Sequence, residues 1–423
     1  MFIENQIFVH DFVWAISETI DLISPDLHGH HKKVAYISRC IAQEMSLPNE
    51  EIQDIILAAM LHDIGAFSLE EWGMLLSAEA NNLDLGRHAY LGYVLLKDFE
   101  PLAKAAELIK YHHELYSRKT QGVQIGSYII HLADRLSLLI DNNAEILKQV
   151  PHMLETLRQR KHIYHPDSFA ALERLSKMEY FWIELSSSMM PTNIFSRVNF
   201  SKELVDLETL RLFAKITAQI IDFRSRFTAT HSSGVAAVAK EISSLSGFSE
   251  RECKMIEIAG FLHDLGKLSV PNEILEKTGV LNMTEMNILR KHSYYTYVIL
   301  SGIRGLEHIA TWAAHHHERL DGNGYPFHIK GPDFSKLSRI MAVADVITAV
   351  TENRPYRIGM NRRKAEAVLR DMVNDNALDK NVVALARDSF LHINDVRIQA
   401  QQVALDDYQN FHNMLRAETN LAS

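Results

Sequence analysis

Apolar positions along the chain recur at helical steps almost throughout. Val34, Ile37, Ile41 and Met45 lie 3, 4 and 4 residues apart, and Val235, Val238, Ile242 and Leu245 lie 3, 4 and 3 apart. That spacing gathers side chains on one face of an α-helix. Ser249 with Glu252 three residues on has capping-box spacing and predicts a helix start leading into Met255, Ile256, Ile258, Ala259 and Leu262. Strand-like alternation is scarce, so the expected fold class is all-α. Between Ser186 and Ser196 the chain reads SSSMMPTNIFS, whose serines, proline and asparagine predict a linker or a helix break. Two domains are expected, 1–190 and 191–423, the second entered through a helix from about Lys202 to Asp222. Three helical segments follow Arg357. The last, around Val396 to Leu415, reads either as a dimerisation helix or as a terminal helix covering its own domain.

The two halves repeat one another. Aligning Val34 with Val235 pairs His30 with His231, and in each half the next His-Asp pair lies 32 residues on, His62-Asp63 and His263-Asp264. RHAYLGYVLL and KHSYYTYVIL then pair His88 with His292, and 24 residues further KYHHE and AHHHE pair His112 and His113 with His316 and His317. HLADRLSLL and MAVADVITA pair Asp134 with Asp345. A single duplication of about 200 residues implies two homologous domains rather than a stacked array.

Composition narrows the function. The 423 residues are 47% hydrophobic and 23% charged, which excludes a disordered or collagen-like chain. With 44 basic and 53 acidic residues the net charge is −9, a poor match for a nucleic-acid polymer, where lysine and arginine must displace counterions. Two cysteines, Cys40 and Cys253, form no disulfide framework and point to a reducing compartment. No cationic leader and no apolar run long enough for a membrane span is visible, so a cytoplasmic protein is expected.

The 22 histidines carry the chemistry. In the second half His231, His263, Asp264, His292, His316, His317 and Asp345 offer five imidazoles and two carboxylates. Mixed nitrogen and oxygen donors suit Fe, Mn, Ni or Zn better than Mg or Ca. Seven ligands exceed the needs of one open-sited metal. Two divalent transition metals fit better, at the roughly 3.5–4 Å separation that supports in-line displacement at phosphorus, with Asp264 the candidate bridge. Other histidines (His10, His152, His162, His165, His308, His328, His392, His412) are expected to be packed and hydrogen-bonded. Alignment register alone sets His28, His31 and His315 aside from the ligands.

His263-Asp264-Leu265-Gly266-Lys267 reads as the HD-x-G-K signature of HD-family metal phosphohydrolases. His316-His317-Glu318, followed by Asp321-Gly322-Asn323-Gly324-Tyr325-Pro326, resembles the HHE-x-x-DG-x-GYP signature of the HD-GYP subfamily. The resemblance covers Phe223 to the mid-370s. It implies two helical HD-type domains in tandem and a phosphodiesterase that linearises cyclic di-GMP or 3′,3′-cyclic GMP-AMP through a metal-bridging hydroxide. It also implies His231, His263 and Asp345 on one metal, His292, His316 and His317 on the other, and Asp264 between them. Fe or Mn is the expected metal, with Ni and Zn as alternatives. Asp264 and Lys267 would be catalytic; Lys267, Tyr325, Arg354 and Arg357 would meet the substrate. Phe227 stands where some relatives have a glutamate for a third metal, and Ser225 where many have an aspartate. The alternatives are a non-hydrolytic cyclic-dinucleotide receptor, an HD phosphohydrolase acting on another nucleotide phosphoester, and an adaptor whose GYP surface docks a cyclase.

The first half repeats the ligand set as His30, His62, Asp63, His88, His112, His113 and Asp134, and Asp26 lies four residues before His30. Ala66 replaces the lysine, no GYP loop follows Glu114, and His113 to Asp134 spans 21 residues against 28 from His317 to Asp345. Two readings stay open: a metal-bearing domain with its own phosphohydrolase activity, or a regulatory or dimerising module whose histidines are structural.

Overall fold

The computed structural model describes residues 7–21, 29–66, 85–187, 198, 200, 204–223, 230–277, 279–353 and 358–421. Every regular element among them is helical, and no strand occurs among the described residues. The chain falls into two compact units, one of residues 8–203 and one of residues 204–423 together with 1–7. The expected linker lies largely outside the described residues. None of the described helices is long and apolar enough to cross a membrane.

In the first unit the helices are α1 (Val9–Asp21), α2 (His30–Glu44), α3 (Asn49–Leu61), α4 (Leu85–Leu96), α5 (Ala103–Lys110), α6 (Ile125–Leu138), α7 (Ile146–Gln159), α8 (Pro166–Leu175) and α9 (Glu179–Leu185). The helical spacing read from the sequence is the buried face of α2: Val34, Ile37 and Ile41 are fully buried, with Ile56 and Ala59 of α3 and Ile129, Ala133 and Leu136 of α6 also in the core. Burying each such aliphatic side chain stabilises the unit by about 1.5–3 kcal/mol for the larger residues.

The second unit contains α10 (Leu207–Phe223), α11 (His231–Leu245), α12 (Glu250–Leu262), the short α13 (Asn272–Leu275), α14 (Met283–Ser301), α15 (Glu307–Ala314), α16 (Lys336–Thr351), α17 (Arg362–Asn374), α18 (Lys380–Asp388) and α19 (Phe390–Leu421). The capping box opens α12: the Ser249 hydroxyl accepts from the Glu252 N–H while the Glu252 carboxylate accepts from Ser249 N–H. α19, the terminal helix, lies on its own unit, with Phe223 edge-on to Tyr408 and tilted against Phe411 and Lys215 paired with Asp407 at 2.9 Å.

The sequence repeat is thus a repeat of elements. α2, α3, α4, α5 and α6 of the first unit match α11, α12, α14, α15 and α16 of the second in order and in the ligand residues they carry. In each unit the first histidine opens a helix, the His-Asp pair follows the end of the next, and the last aspartate sits within a later helix.

Candidate metal centre

In the second unit, helix ends and backbone carbonyls aim the imidazoles. His263, His292 and His316 each place Nδ1 on the carbonyl three residues earlier, Gly260 at 2.8 Å, Leu289 at 2.6 Å and Ala313 at 2.6 Å. A carbonyl only accepts, so Nδ1 carries the proton and Nε2 presents a lone pair. His231 Nδ1–H donates to Glu352 Oε2 at 3.0 Å, with the same consequence. Gly266, the glycine of HD-x-G-K, lets the turn after His263 approach α14, because a Cβ there would lie 2.0 Å from the His292 carbonyl oxygen.

Donor atoms converge in two groups, each within 4.8 Å of one another: His231, His263 and Asp264, and His292, His316 and His317. Asp264 turns one oxygen to each. Oδ2 is 3.1 Å from His263 Nε2, while Oδ1 is 3.5 Å from His292 Nε2 and 3.9 Å from His316 Nε2. Asp345 stands beside both groups, 3.3 Å from His231 Nε2 and 3.8 Å from His317 Nδ1.

These donors fit a cation. Asp264 Oδ1 is buried without a hydrogen bond, and His292 Nε2 faces His316 Nε2 at 3.2 Å, where two lone pairs repel unless something positive lies between them. Electrostatics agree. Burial and the neighbouring imidazoles keep His316 well below the usual histidine range, and burial carries His317 down to about 4, so both stay neutral and ligating. Burial opposes the charge on Asp264, yet His263 and Lys267 outweigh it and hold the carboxyl well below its usual range. Burial also opposes a charged His231, but Glu352 and Asp345 outweigh it and raise the ring to about 10, so without a cation Nε2 holds a proton that a metal would displace.

Around the groups, Lys267 Nζ donates to Asp264 Oδ2 at 2.5 Å. The loop after His317 is pinned by Glu318, 1% exposed, whose carboxylate accepts from Phe327 N–H at 2.6 Å and Ile329 N–H at 3.1 Å. Gly324 packs so tightly that a Cβ would meet Arg319 N at 2.4 Å. Tyr325 donates its N–H to the His317 carbonyl, rests its ring 4.8 Å from the His317 ring, and carries Arg290 over its face at 5.3 Å.

The first unit has its own centre. Asp63, His88, His112 and His113 form one group; His30, His62 and Asp134 form another. Nδ1–H of His62 and His112 donates to the carbonyls of Ala59 and Ile109, as in the second unit. Asp63 splits its oxygens likewise, Oδ1 3.1 Å from His88 Nε2 and Oδ2 3.1 Å from His62 Nε2. Ala66 leaves it no lysine.

All seven expected ligand positions in each unit are therefore brought together, and Lys267 and Tyr325 stand beside the second set. Arg354, Arg357, Asp26, His28, Ser225 and Phe227 lie outside the described residues. His31, set aside by register, forms a further group with His62 and Asp63; Asp21 takes its Nδ1 at 2.6 Å and aims Nε2 inward. Ser232 holds that place in the second unit, bonded to Asp222. His315 instead packs between Phe327 and Phe334 and contacts Ser338. Of the histidines expected to be packed and hydrogen-bonded, His152, His162, His308, His328 and His392 are exposed, although His328 bonds the Gly322 carbonyl, His392 bonds Glu241 and His308 stacks on Trp312. Glu352, Arg135 and His131 went unnoticed. Glu352 also accepts from Gln401 of α19 at 3.2 Å, and Arg397 lies on the far side of Gln401.

This geometry defines a protein with two HD-type centres. An HD domain family model matches residues 27–139, and a second HD domain model matches residues 215–382. The chain is a tandem HD-domain protein, with the HD-GYP signature in its second domain. It is 29% identical over 397 residues to the 3′3′-cGAMP-specific phosphodiesterase 1 of Vibrio cholerae, covering 90% of this chain and 91% of that protein. It is 39% identical over 142 residues to the cyclic di-GMP phosphodiesterase response regulator RpfG of Xanthomonas campestris, covering 33% of this chain and 38% of that one. The crystal structure of a cyclic GMP-AMP specific phosphodiesterase of V. cholerae, V-cGAP3, superposes with a TM-score of 0.62 at 20% identity, over 94% of this chain and 97% of that chain, a likeness of fold.

Proposed function

We propose that the second unit is a metal-dependent phosphodiesterase that hydrolyses a cyclic dinucleotide, cyclic di-GMP or 3′,3′-cyclic GMP-AMP, to the linear dinucleotide. The observation that carries this reading is Asp264, which offers one oxygen to each of two imidazole groups beside Lys267 and the Tyr325 loop. Relatives named for both substrates support it. His231, His263 and Asp345 would hold one divalent cation and His292, His316 and His317 a second, with Asp264 shared; the donor set suits Fe or Mn, then Ni or Zn. Bound there, the cations would supply Lewis acidity to phosphate oxygens and acidify a water.

The remaining work falls to side chains. Lys267, about one-fifth exposed, sets a fixed positive charge at the mouth of the centre, where it meets a non-bridging phosphate oxygen. Tyr325, backed by His317 and Arg290, bounds the ligand from the loop side. Arg354 and Arg357, outside the described residues, would offer guanidinium groups to phosphate as the family resemblance implies. Incubating anaerobically purified, Fe- or Mn-replete protein with cyclic di-GMP, 3′,3′-cyclic GMP-AMP and cyclic di-AMP, and resolving products by chromatography, tests the reading. Linear product that disappears in Asp264→Ala supports it; full turnover by metal-free Asp264→Ala overturns it.

For the first unit we propose a cation centre built from His30, His62, Asp63, His88, His112, His113 and Asp134, with His31 as an added ligand. The favouring observation is the convergence of the donor atoms, with His62 and His112 already oriented through Nδ1. An Asp264→Ala chain that still retains Fe or Mn supports it, and one stripped of all metal refutes it.

A further inference from the structure

Each unit brings one cation onto a carboxylate of its centre among the described residues, but from different places. In the second unit it is Lys267, on the turn after the His-Asp pair, bonded to Asp264. In the first unit the equivalent residue is Ala66, 4% exposed, whose methyl pairs with nothing charged. There the cation is Arg135, next in sequence to Asp134 on α6, with Nη2 3.0 Å from Asp134 Oδ2. The second unit has Val346 at that position. The positive charge meets the carboxylate of the His-Asp pair in one unit and that of the later helix in the other.

Arg135 also has capacity to spare. Its Nε is buried with no hydrogen-bond partner, and so are His113 Nδ1 and His131 Nε2. His131 is 5% exposed, and its Nδ1 is fixed on the His112 carbonyl at 3.1 Å, which leaves Nε2 facing away from that strut. Its ring lies edge-on to His113 at 6.3 Å and tilted against Tyr164 at 5.7 Å, and Arg135 bears electrostatically on all three side chains. In the second unit His317 Nδ1 has Asp345 beside it and Ala342 replaces His131, so no comparable set of open polar atoms forms. With its Nδ1–H given to the His112 carbonyl, His131 presents a lone pair at Nε2, so the donors left over are Arg135 Nε–H and His113 Nδ1, and leaving such groups unsatisfied in a buried site is costly unless a ligand answers them.

We propose that Arg135 is the anion-recognising cation of the first unit's centre and that its ligand is a tetrahedral phosphoryl oxyanion. Guanidinium presents several N–H groups in a plane and meets two oxygens of such a group at once, which the single point charge of lysine does not. Asp134 holds Arg135 toward the centre, so an oxyanion bridging Arg135 and a cation held by His30, His62 and Asp134 spans a short path. The inference rests on the reading that this unit binds metal.

Isothermal titration of inorganic phosphate into the full-length, Mn-loaded chain tests it, with manganese content measured on the same samples. Wild type binds phosphate at both centres. Arg135→Met weakens one of the two roughly 10- to 100-fold, the loss expected for a charge-assisted hydrogen bond, and keeps its manganese. Arg135→Lys restores part of that affinity, and Lys267→Met weakens the other centre instead. Wild-type phosphate binding in Arg135→Met at unchanged manganese content overturns the inference alone. Loss of manganese in both Arg135 variants makes the residue structural and overturns it too. Absence of manganese from the first unit of the wild-type chain overturns the metal reading and this inference together.

Discussion

Replacing Glu352 by glutamine removes the negative charge behind His231. Glu352 Oε2 takes the Nδ1 proton of His231 at 3.0 Å, and both side chains are only 5% exposed, so solvent screens the pair little. Glutamine keeps the shape and can still accept through its carbonyl oxygen, so what is lost is the charge. A hydrogen bond to a charged group contributes about 1.5–3 kcal/mol and a neutral one about 0.5–1.5 kcal/mol, leaving a difference near 1–1.5 kcal/mol. Delivered through the basicity of Nε2, that is about tenfold in metal affinity, at the low end of the 10- to 100-fold range typical of partners that orient a ligand histidine. Gln401 sets a second constraint, since its amide donates to the same oxygen and the new amide must turn its carbonyl toward both. Glu352→Ala removes the acceptor outright and is expected to cost nearer 100-fold. Competition of the full-length protein against a chromophoric chelator for Mn or Zn reads the effect, with thermal melting of the metal-free chain as the control for folding. Glu352→Gln that binds metal with wild-type affinity at the second centre would refute the view that this carboxylate tunes His231.

Other expectations follow from single contacts. Gly266→Ala forces a Cβ to within 2.0 Å of the His292 carbonyl; it is expected to destabilise by about 1–3 kcal/mol or more and to lower metal content, read by urea unfolding and metal analysis. Ser249→Ala removes the cap of α12, which ends at His263, and should cost about 1 kcal/mol with the unfolding slope unchanged. Arg319 and the Asn323 N–H hold Asp321 down to about 2, from an ordinary value of 3.8. A depressed carboxyl favours the folded turn above pH 4 and stops doing so as the pH falls through about 2; carboxyl NMR should place the midpoint there, and Arg319→Ala should raise it.

Helices and ligand positions were legible because both are local or repeated. The 3- and 4-residue spacing of Val34, Ile37 and Ile41 is itself the buried face of α2, and the equal 32- and 24-residue intervals forced the same elements to carry the same donors. What escaped was the shell around those donors. His31 was dismissed because register gave its place to Ser232, and the register is sound, since Asp21 and Asp222 each lie ten residues before and hold them. The difference is reach: imidazole extends to His62 and Asp63 where a hydroxyl stops at its aspartate. Glu352 and Gln401 are 49 residues apart and meet only because α19 returns along its unit, a tertiary contact that no periodicity encodes.

Arg135 is the instructive case, because a signal for it was present. It stands beside Asp134, where the other half has valine, in the half that has lost its lysine. Read one position at a time, Ala66 looks like the decay of a catalytic site. With the fold in view, two positions far apart in sequence bear on one centre: Ala66 brings it no charge, and Arg135 brings one to Asp134 from α6. What sets Arg135 apart from other arginines with a buried, unpartnered Nε, such as Arg39, is its place on the Asp134 carboxylate of the centre. That place fits the proposal of a centre kept for a differently placed anion. On that proposal the two units would hold a phosphate in different poses, since the fixed charge against which it would settle lies on α6 in one and on the turn after α12 in the other.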